Sequence, residues 1–489
     1  MKRTKIVATI GPASQKQSVM KRMIKSGLNV ARLNFSHNVH KHHLMLIKRL
    51  RQVAKSEGVG LAILQDLQGP RIRIGDVGET GIKIRKGQKL TISYSDQPAD
   101  TKVKPVAIPV HYKNISKDLK PGEMVLVEDG LIRLEVEKVE NKKVHCKVLV
   151  AGVIKTHKGM NFPDSNLSAS AMTEKDFEDL EFGIKNRVDF VALSFVKDAK
   201  DITQLRKRIA NLEKRYIPAS ERKSSRGTTV TKIIAKIERK DAVNNFSRIL
   251  KAVDGIMVAR GDLGIELPFE DVPLIQKDII KKCNYAGKPV IVATQMLDSM
   301  IRNPIPTRAE VSDVANAILD GTDAIMLSGE SATGVYPVEA VKAMKRIAAE
   351  VEPIEFEIQQ GLDGSLKKIN LAGDFVSYNA QNMAEQLKVK AIICLSESGD
   401  LARKIVRYKS QVPLYVFSAQ KPVVNQMSLS WGASGLLLRP GDDLDKTMGR
   451  TIAVLRKNKK VRKNQTVLFC ADKSYSYLKR DNFIRVEKA

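Results

Sequence analysis

The chain has 489 residues, 43% of them hydrophobic and 28% charged, which excludes a disordered polymer and is too long for one ordinary domain. Against 54 acidic residues stand 83 basic ones, a net charge of +29 that points to anionic partners: phosphorylated metabolites, nucleic acid or lipid headgroups. No apolar run approaches the roughly 18–20 residues of a membrane span, and Cys146, Cys283, Cys394 and Cys470 form no C-x-x-C pair, which argues against a disulfide framework or Cys-type zinc site and for a reducing cytoplasm.

The start, Met1–Pro12, is basic and then apolar, but its apolar run is too short for a signal peptide. Eight short apolar runs follow one another: Lys5–Ile10, Val30–Phe35, Leu61–Leu64, Phe190–Phe195, Lys232–Ile237, Gly255–Ala259, Pro289–Thr294 and Ala324–Leu327. They are rich in Val, Ile, Leu and Ala without alternation, as strands buried on both faces require. Between them lies helical spacing, as in Leu44, Ile47, Leu50 and Val53. The pattern predicts a (β/α)8 barrel.

Between the third and fourth runs, Gly75 to Pro163 has another texture. Alternation and turn signals in Gly81–Ile84, Leu90–Tyr94, Met124–Val127 and Leu134–Val136 predict a β-rich insertion. Placed after a barrel strand, it would overhang the C-terminal face as a lid. Arg215–Arg226 reads as a surface loop. Beyond about residue 350 the barrel pattern stops, Asp363-Gly364-Ser365 reads as linker, and Lys390–Leu395, Leu401–Arg407 and Leu414–Phe417 begin a strand, helix, strand alternation. The division is therefore a discontinuous barrel (1–74 and 164–350), a lid (75–163) and a C-terminal α/β domain (351–489), which has room for a regulatory role.

Charge is concentrated at the end. Residues 388–489 hold 21 Lys/Arg against 8 Asp/Glu, and 446–463 hold eight basic residues and no acidic one. A solvated helix face is the ordinary reading, since no aromatic side chain interleaves with the run.

Reactive side chains of a barrel collect at the C-terminal strand ends. There the second run carries Arg32, Asn34 and Ser36 on one face, the third Gln65-Asp66, and the fifth Lys236 and Glu238 on one face. The sixth carries Arg260-Gly261-Asp262, the seventh Thr294-Gln295 and the eighth Ser328-Gly329-Glu330. Glu238 and Asp262 suit a hard divalent cation such as Mg²⁺. Lys236 is placed to neutralise a developing oxyanion, and Arg32 offers a planar fork to phosphate. Gly261 allows close backbone approach, and turn N–H groups there suit an anion. Singly, each has an ordinary reading as an ion pair or turn; together they describe a site for a small, multiply anionic, Mg²⁺-bound substrate.

Several of these segments resemble the pyruvate kinase family: Ile233–Val243, Asn29–His37, Lys158–Asp176, Asp254–Gly264, Ala293–Met296 and Met326–Glu330. The likeness runs in order from residue 1 to about 350 and is weaker beyond. It implies phosphoryl transfer from phosphoenolpyruvate to ADP, a cytoplasmic glycolytic enzyme and a homotetramer. It also implies Glu238 and Asp262 as Mg²⁺ ligands, with a second Mg²⁺ arriving with ADP. Lys236 then stabilises the transferring phosphoryl group and the enolate, and Arg32 binds phosphate. Gly261, Asp262 and Thr294 take the substrate carboxylate, with a proton reaching the enolate through water near Thr294. Arg73 and Lys175 meet the nucleotide phosphates.

Three features depart from the common pattern. The family's monovalent-cation site is matched by Asn34, Ser36 and Asp66, but Leu67 stands for Thr and Arg71 for Glu. That resembles a branch working without potassium, and the expectation is that the Arg71 guanidinium replaces K⁺ and orders Asp66; the alternative is that Arg71 points to solvent and the site binds K⁺ through backbone carbonyls. Ser396–Leu401 lacks the last hydroxyl of a phosphate-binding run, with Asp400 adding repulsion, and Asp472–Tyr477 lacks glycine, so sugar-bisphosphate activation is not expected. His37, His40 and His43 have a spacing open to metal but no nearby carboxylate in sequence, and Trp431 reads as a packing residue. The rivals are a Mg²⁺-enolate barrel lyase such as an aldolase, which has no need of Arg73, Lys175 or a lid, and nucleic-acid binding by the basic C-terminal domain.

Overall fold

The computed structural model describes residues 2–100, 104–165, 167–168, 170–222, 229–362, 372–439, 443–471 and 483–489. The expected linker Asp363-Gly364-Ser365, the run Asp472–Tyr477 and the end of the expected loop Arg215–Arg226 lie outside these residues.

Eight parallel strands close into a barrel: Lys5–Thr9, Val30–Asn34, Ala62–Asp66, Phe190–Leu193, Lys232–Ile237, Gly255–Ala259, Val290–Ala293 and Ala324–Leu327. Closure is made by the first strand pairing with the last, Lys5 opposite Ala324. Each expected run is present, its ends within two residues of those read from the sequence. The absence of alternation has its cause here. Val7, Val30, Leu64, Ile234, Met257, Ile291 and Met326 fill the barrel interior. Their neighbours Ile6, Ala31, Ile63, Ile233 and Ile256 pack outward with helix residues such as Met20 and Leu50. Both faces are dry, so both must be apolar. Truncating one of them, Ile234→Ala for example, costs about 2–5 kcal/mol. The helix His40–Ser56 buries Leu46, Ile47, Leu50 and Val53 on one stripe against this layer.

The β-rich segment leaves after the third strand and returns before the helix Glu174–Lys185. Its six-stranded sheet runs in the order Met160–Asn161, Met124–Val127, Ile132–Glu140, Lys143–Val150, Lys89–Tyr94, Val106–Val110. Alternation is strict where it matters: Ile132, Leu134 and Val136 are buried with Val144, Cys146 and Val148 in a core of their own.

The C-terminal α/β unit is a five-stranded sheet ordered Ala433–Leu437, Leu414–Ser418, Ala391–Leu395, Thr466–Ala471, Phe483–Lys488, the last strand antiparallel. It docks under the barrel. Leu429 joins the barrel's interior cluster, Lys5 Nζ donates to Ala433 O at 2.6 Å, and buried Lys409 pairs with Asp323 at 3.1 Å. Trp431 packs there as expected, with Arg3 and Lys409 over its ring. The helix Pro337–Leu362 runs across the boundary expected at 350/351. Glu352 is the reason: it accepts from the backbone N–H groups of Arg3 and Thr4 and so ties that turn to the barrel base.

All four cysteines are free and buried. No helix among the described residues is long and apolar enough to cross a membrane.

Candidate active site

Four of the expected residues meet at the C-terminal mouth of the barrel. Arg32 Nε donates to Asp66 Oδ2 at 2.7 Å, and its Nη1 donates to Thr9 Oγ1 at 2.8 Å. Lys236 Nζ lies 3.4 Å from Asp66 Oδ1 and 2.7 Å from Glu238 Oε1, and donates to Ser194 Oγ at 2.8 Å. Ser194 in turn donates to Leu67 O at 2.7 Å, and Glu238 Oε2 accepts from the Phe195 N–H at 2.7 Å. Phe195 reaches this position with φ of +53°, a conformation rare for a bulky residue.

Electrostatics follow from this packing. Burial pushes Lys236 toward neutrality, but the charges of Asp66 and Glu238 outweigh it and hold the ammonium above the ordinary lysine range. Burial raises the Asp66 carboxyl, but Lys236 and Arg32 outweigh it, so Asp66 is held below the usual carboxylate range. Glu238 differs: its burial and the nearby charge of Asp262 push its carboxyl up despite Lys236.

That imbalance tests whether a metal fits. Glu238 is 1% exposed, and its Oε1 meets only the Lys236 ammonium, at 2.7 Å. Among the described residues no hydrogen bond or ion pair engages the Asp262 carboxylate. Two neighbouring carboxylates, one of them buried and pushed up by its burial and by the other's charge, suit a hard divalent cation.

Thr294 stands at φ +72° with Gln295 at +54°, so the seventh strand ends in a strained turn of a kind found at working sites. Its Oγ1 accepts from the Gly261 N–H at 2.7 Å and donates to Ala293 O at 2.6 Å. The expected anion-holding amide of Gly261 is therefore taken by Thr294. Arg260 braces the turn, forking onto Asp313 at 2.6 and 2.7 Å and donating to Thr294 O at 2.8 Å. Glu330 accepts from the N–H groups of Leu297 and Ser328, a structural tie between the seventh and eighth loops.

Other expected residues lie apart from this cluster. Lys175 sits at the start of the helix Glu174–Lys185, which a Thr173–Asp176 capping box initiates. Its Nζ donates to Phe35 O at 2.8 Å and to Asp179 at 2.5 Å. Arg73 donates to His157 O in the lid at 3.0 Å. Asn34 Oδ1 accepts from the Ser36 N–H at 3.1 Å, while the Leu67 side chain is core, 1% exposed. Arg71 does not do what the sequence suggested. Both Asp66 oxygens face Arg32 and Lys236, and Arg71 reaches outward to Asp129 of the lid at 3.4 Å. The Arg71 guanidinium lies beside Gly159, which bridges to Arg73 just before the strand Met160–Asn161. The histidines are packed rather than gathered for metal: His40 bonds Asp179 at 2.6 Å, and His43 stacks on Phe35 and meets His37 O.

Thr9 and Ser194 were missed, although a signal existed. Thr9 ends the first barrel strand and Ser194 directly follows the fourth, so both are polar residues at strand ends like the others. Phe195 left no such signal, because its role is carried by a backbone N–H.

The chain also matches known proteins over its length. Residues 1–341 match the family described as pyruvate kinase, barrel domain, and residues 374–487 match pyruvate kinase, alpha/beta domain. The chain belongs to the pyruvate kinase family. A pyruvate kinase of Clostridium acetobutylicum is 38% identical over 488 residues, covering 100% of this chain and 99% of that one. One from Clostridium perfringens is 41% identical over 88% of each chain. The solved structure of a pyruvate kinase from Cryptosporidium parvum superimposes with a TM-score of 0.89 at 33% identity, covering 100% of this chain and 96% of that one. Membership makes the chain a phosphotransferase, and the pyruvate kinase family generally works with Mg²⁺ and K⁺. An aldolase-like reading is set aside by the match of both parts.

Proposed function

We propose that this chain transfers the phosphoryl group of phosphoenolpyruvate to ADP at the mouth cluster, giving pyruvate and ATP. The observation that carries the reading is Lys236, a buried ammonium flanked by Asp66 and Glu238 beside Arg32. Phosphoryl transfer needs positioning and charge neutralisation more than covalent help. Arg32 would bind the phosphate with the guanidinium face not engaged by Asp66 and Thr9. Lys236 would face the charge that builds on the transferring group and the enolate oxygen. Thr294 would exchange its bond to the Gly261 N–H for one to the substrate carboxylate, freeing that amide as a second donor beside Asp262. A proton then reaches the enolate carbon through water near Thr294.

Glu238 and Asp262 would hold one Mg²⁺, whose charge would offset that of the phosphate, and a second would come with ADP. Among the described residues no group of three or more His, Cys, Asp or Glu gathers for a metal, so substrate and water would complete the shell. Lys175, held at Phe35 O of the barrel, and Arg73, held at His157 O of the β-rich segment, would take the nucleotide phosphates, and 75–163 would close as the lid. Asn34, Ser36, Asp66 and Leu67 would form no potassium site. A homotetramer in the cytoplasm completes the reading. Its support is the family, whose members usually oligomerise. Light scattering on the purified protein checks that part. The reaction itself is tested by a coupled assay of pyruvate from phosphoenolpyruvate, ADP and Mg²⁺; no ADP-dependent pyruvate formation would overturn it.

A further inference from the structure

The excess of positive charge finds no use at the barrel mouth. Fold and register concentrate part of it on one end of the C-terminal sheet. Arg456, Lys457, Lys459, Lys460, Arg462 and Lys463 close the helix Leu444–Lys457 and turn into the strand Thr466–Ala471, and all six are exposed. Two lysines distant in sequence join them. The Lys390 N–H donates to Thr466 O at 2.8 Å. Lys488 lies opposite Thr466 on the antiparallel edge strand and donates to its Oγ1 at 2.9 Å. Both lysines are exposed.

Among the described residues none of these eight cations has a carboxylate within 4.0 Å, although ion pairs are common over the rest of the molecule. Eight like charges without counter-charges raise the energy of the free protein. They sit on a firm base, because Leu455 and Val461 are buried in the sheet's core and Asn464 is tied to Ala489 at 2.7 Å.

We propose that this face binds the phosphodiester backbone of a nucleic acid without reading its bases. A row of phosphates supplies the missing counter-charge at many points at once. Residues 446–463 contain no Phe, Tyr or Trp to stack on a base, and phosphate contacts alone carry no sequence information. An anionic membrane fits less well, since the large apolar side chains within the run, Leu455 and Val461, point into the core and leave nothing to insert.

The experiment is a fluorescence-anisotropy titration of the full chain against a labelled 20-base-pair duplex of arbitrary sequence, at 50 and 200 mM NaCl. Four to six phosphate contacts predict that affinity falls roughly 10²–10³-fold between the two salts. A second duplex of unrelated sequence should bind within about twofold. Lys459→Glu, Lys460→Glu, Arg462→Glu and Lys463→Glu together should cost at least about tenfold in affinity and flatten the salt dependence, with the thermal midpoint unchanged. Lys459→Gln with Lys460→Gln gives a milder variant and should show a smaller loss of the same sign. No binding at 50 mM salt overturns the proposal. So does equal binding by wild type and the four-fold variant, or binding to anionic phospholipid vesicles but not to duplex.

Discussion

Lys236 Nζ lies 2.7 Å from Glu238 Oε1, and both side chains are almost fully buried, at 13% and 1% exposure. The two stand two residues apart on one strand and therefore share its face. Glu238 is thus the residue that holds the ammonium in place and also a proposed metal ligand, so the two cations would share one carboxylate.

Replacing this lysine separates chemistry from binding. Lys236→Met should lower kcat by at least about 10²–10³, because the lost contact acts on charge that develops in the transition state. The KM for phosphoenolpyruvate should change much less. The substitution also strands Glu238 and leaves Asp66 with Arg32 alone, and breaking a buried pair costs about 3–5 kcal/mol. Lys236→Arg keeps the charge and should keep the thermal midpoint while remaining impaired in kcat. A Lys236→Met enzyme with more than about a tenth of wild-type activity would remove Lys236 from the mechanism.

Potassium should not be required. Arg32 and Lys236 face Asp66, and with Glu238 the four groups sum to neutrality, while the Leu67 side chain is core, so Asn34, Ser36 and Asp66 offer no unbalanced carboxylate to hold K⁺. Activity in tetramethylammonium and potassium buffers should agree within about twofold; a many-fold drop without K⁺ sinks the prediction.

A sugar bisphosphate should leave the substrate-saturation curve unchanged. In the run Ser396–Leu401 the Gly399 N–H already donates to Ser396 Oγ at 2.8 Å and the Asp400 N–H to Ser398 Oγ at 3.2 Å. Burial raises the Asp400 carboxyl, but Arg403 and Lys232 outweigh it, so Asp400 is held ionised and pairs with Arg403. That carboxylate faces any phosphate approaching the loop. A leftward shift of the curve on adding fructose bisphosphate would contradict this.

Stability should depend on Lys5. It is 7% exposed, and burial lowers its ammonium to about 8, against the partial compensation of Glu352 and Asp323. A folded-state value below the unfolded one means that the unfolded chain binds more protons between about pH 8 and 10.5. Lys5 therefore costs stability at neutral pH, and the cost fades as pH rises through that window. Lys5→Met should have the higher thermal midpoint, or the smaller deficit, at pH 7, and the difference should move in favour of wild type by pH 10. Parallel midpoints from pH 7 to 10 would show that Lys5 is not buried as a charge.

The barrel was readable from the chain because burial on both faces leaves a local trace. Ile233 and Ile234 face opposite sides of one strand and are both apolar, so the run needs no partner to be recognised. The same holds for Arg32, Asp66, Lys236, Glu238 and Thr294, since a strand's end sets which end of the barrel its last side chains reach. Which of them touch was another matter. Arg32 meets Asp66 because the second and third strands pair in register, Asn34 opposite Asp66, and a shift of one residue would turn either side chain to the other face. Arg71 goes to Asp129 and not Asp66 because the lid returns alongside it. Lys390, Lys488 and the run 456–463 become one surface only once the sheet is ordered. The elements and the chemistry at their ends are legible in the chain alone, because both follow from local burial and strand geometry. The pairings are not, because distance between charges is set by barrel closure and strand order, which no local stretch of chain contains.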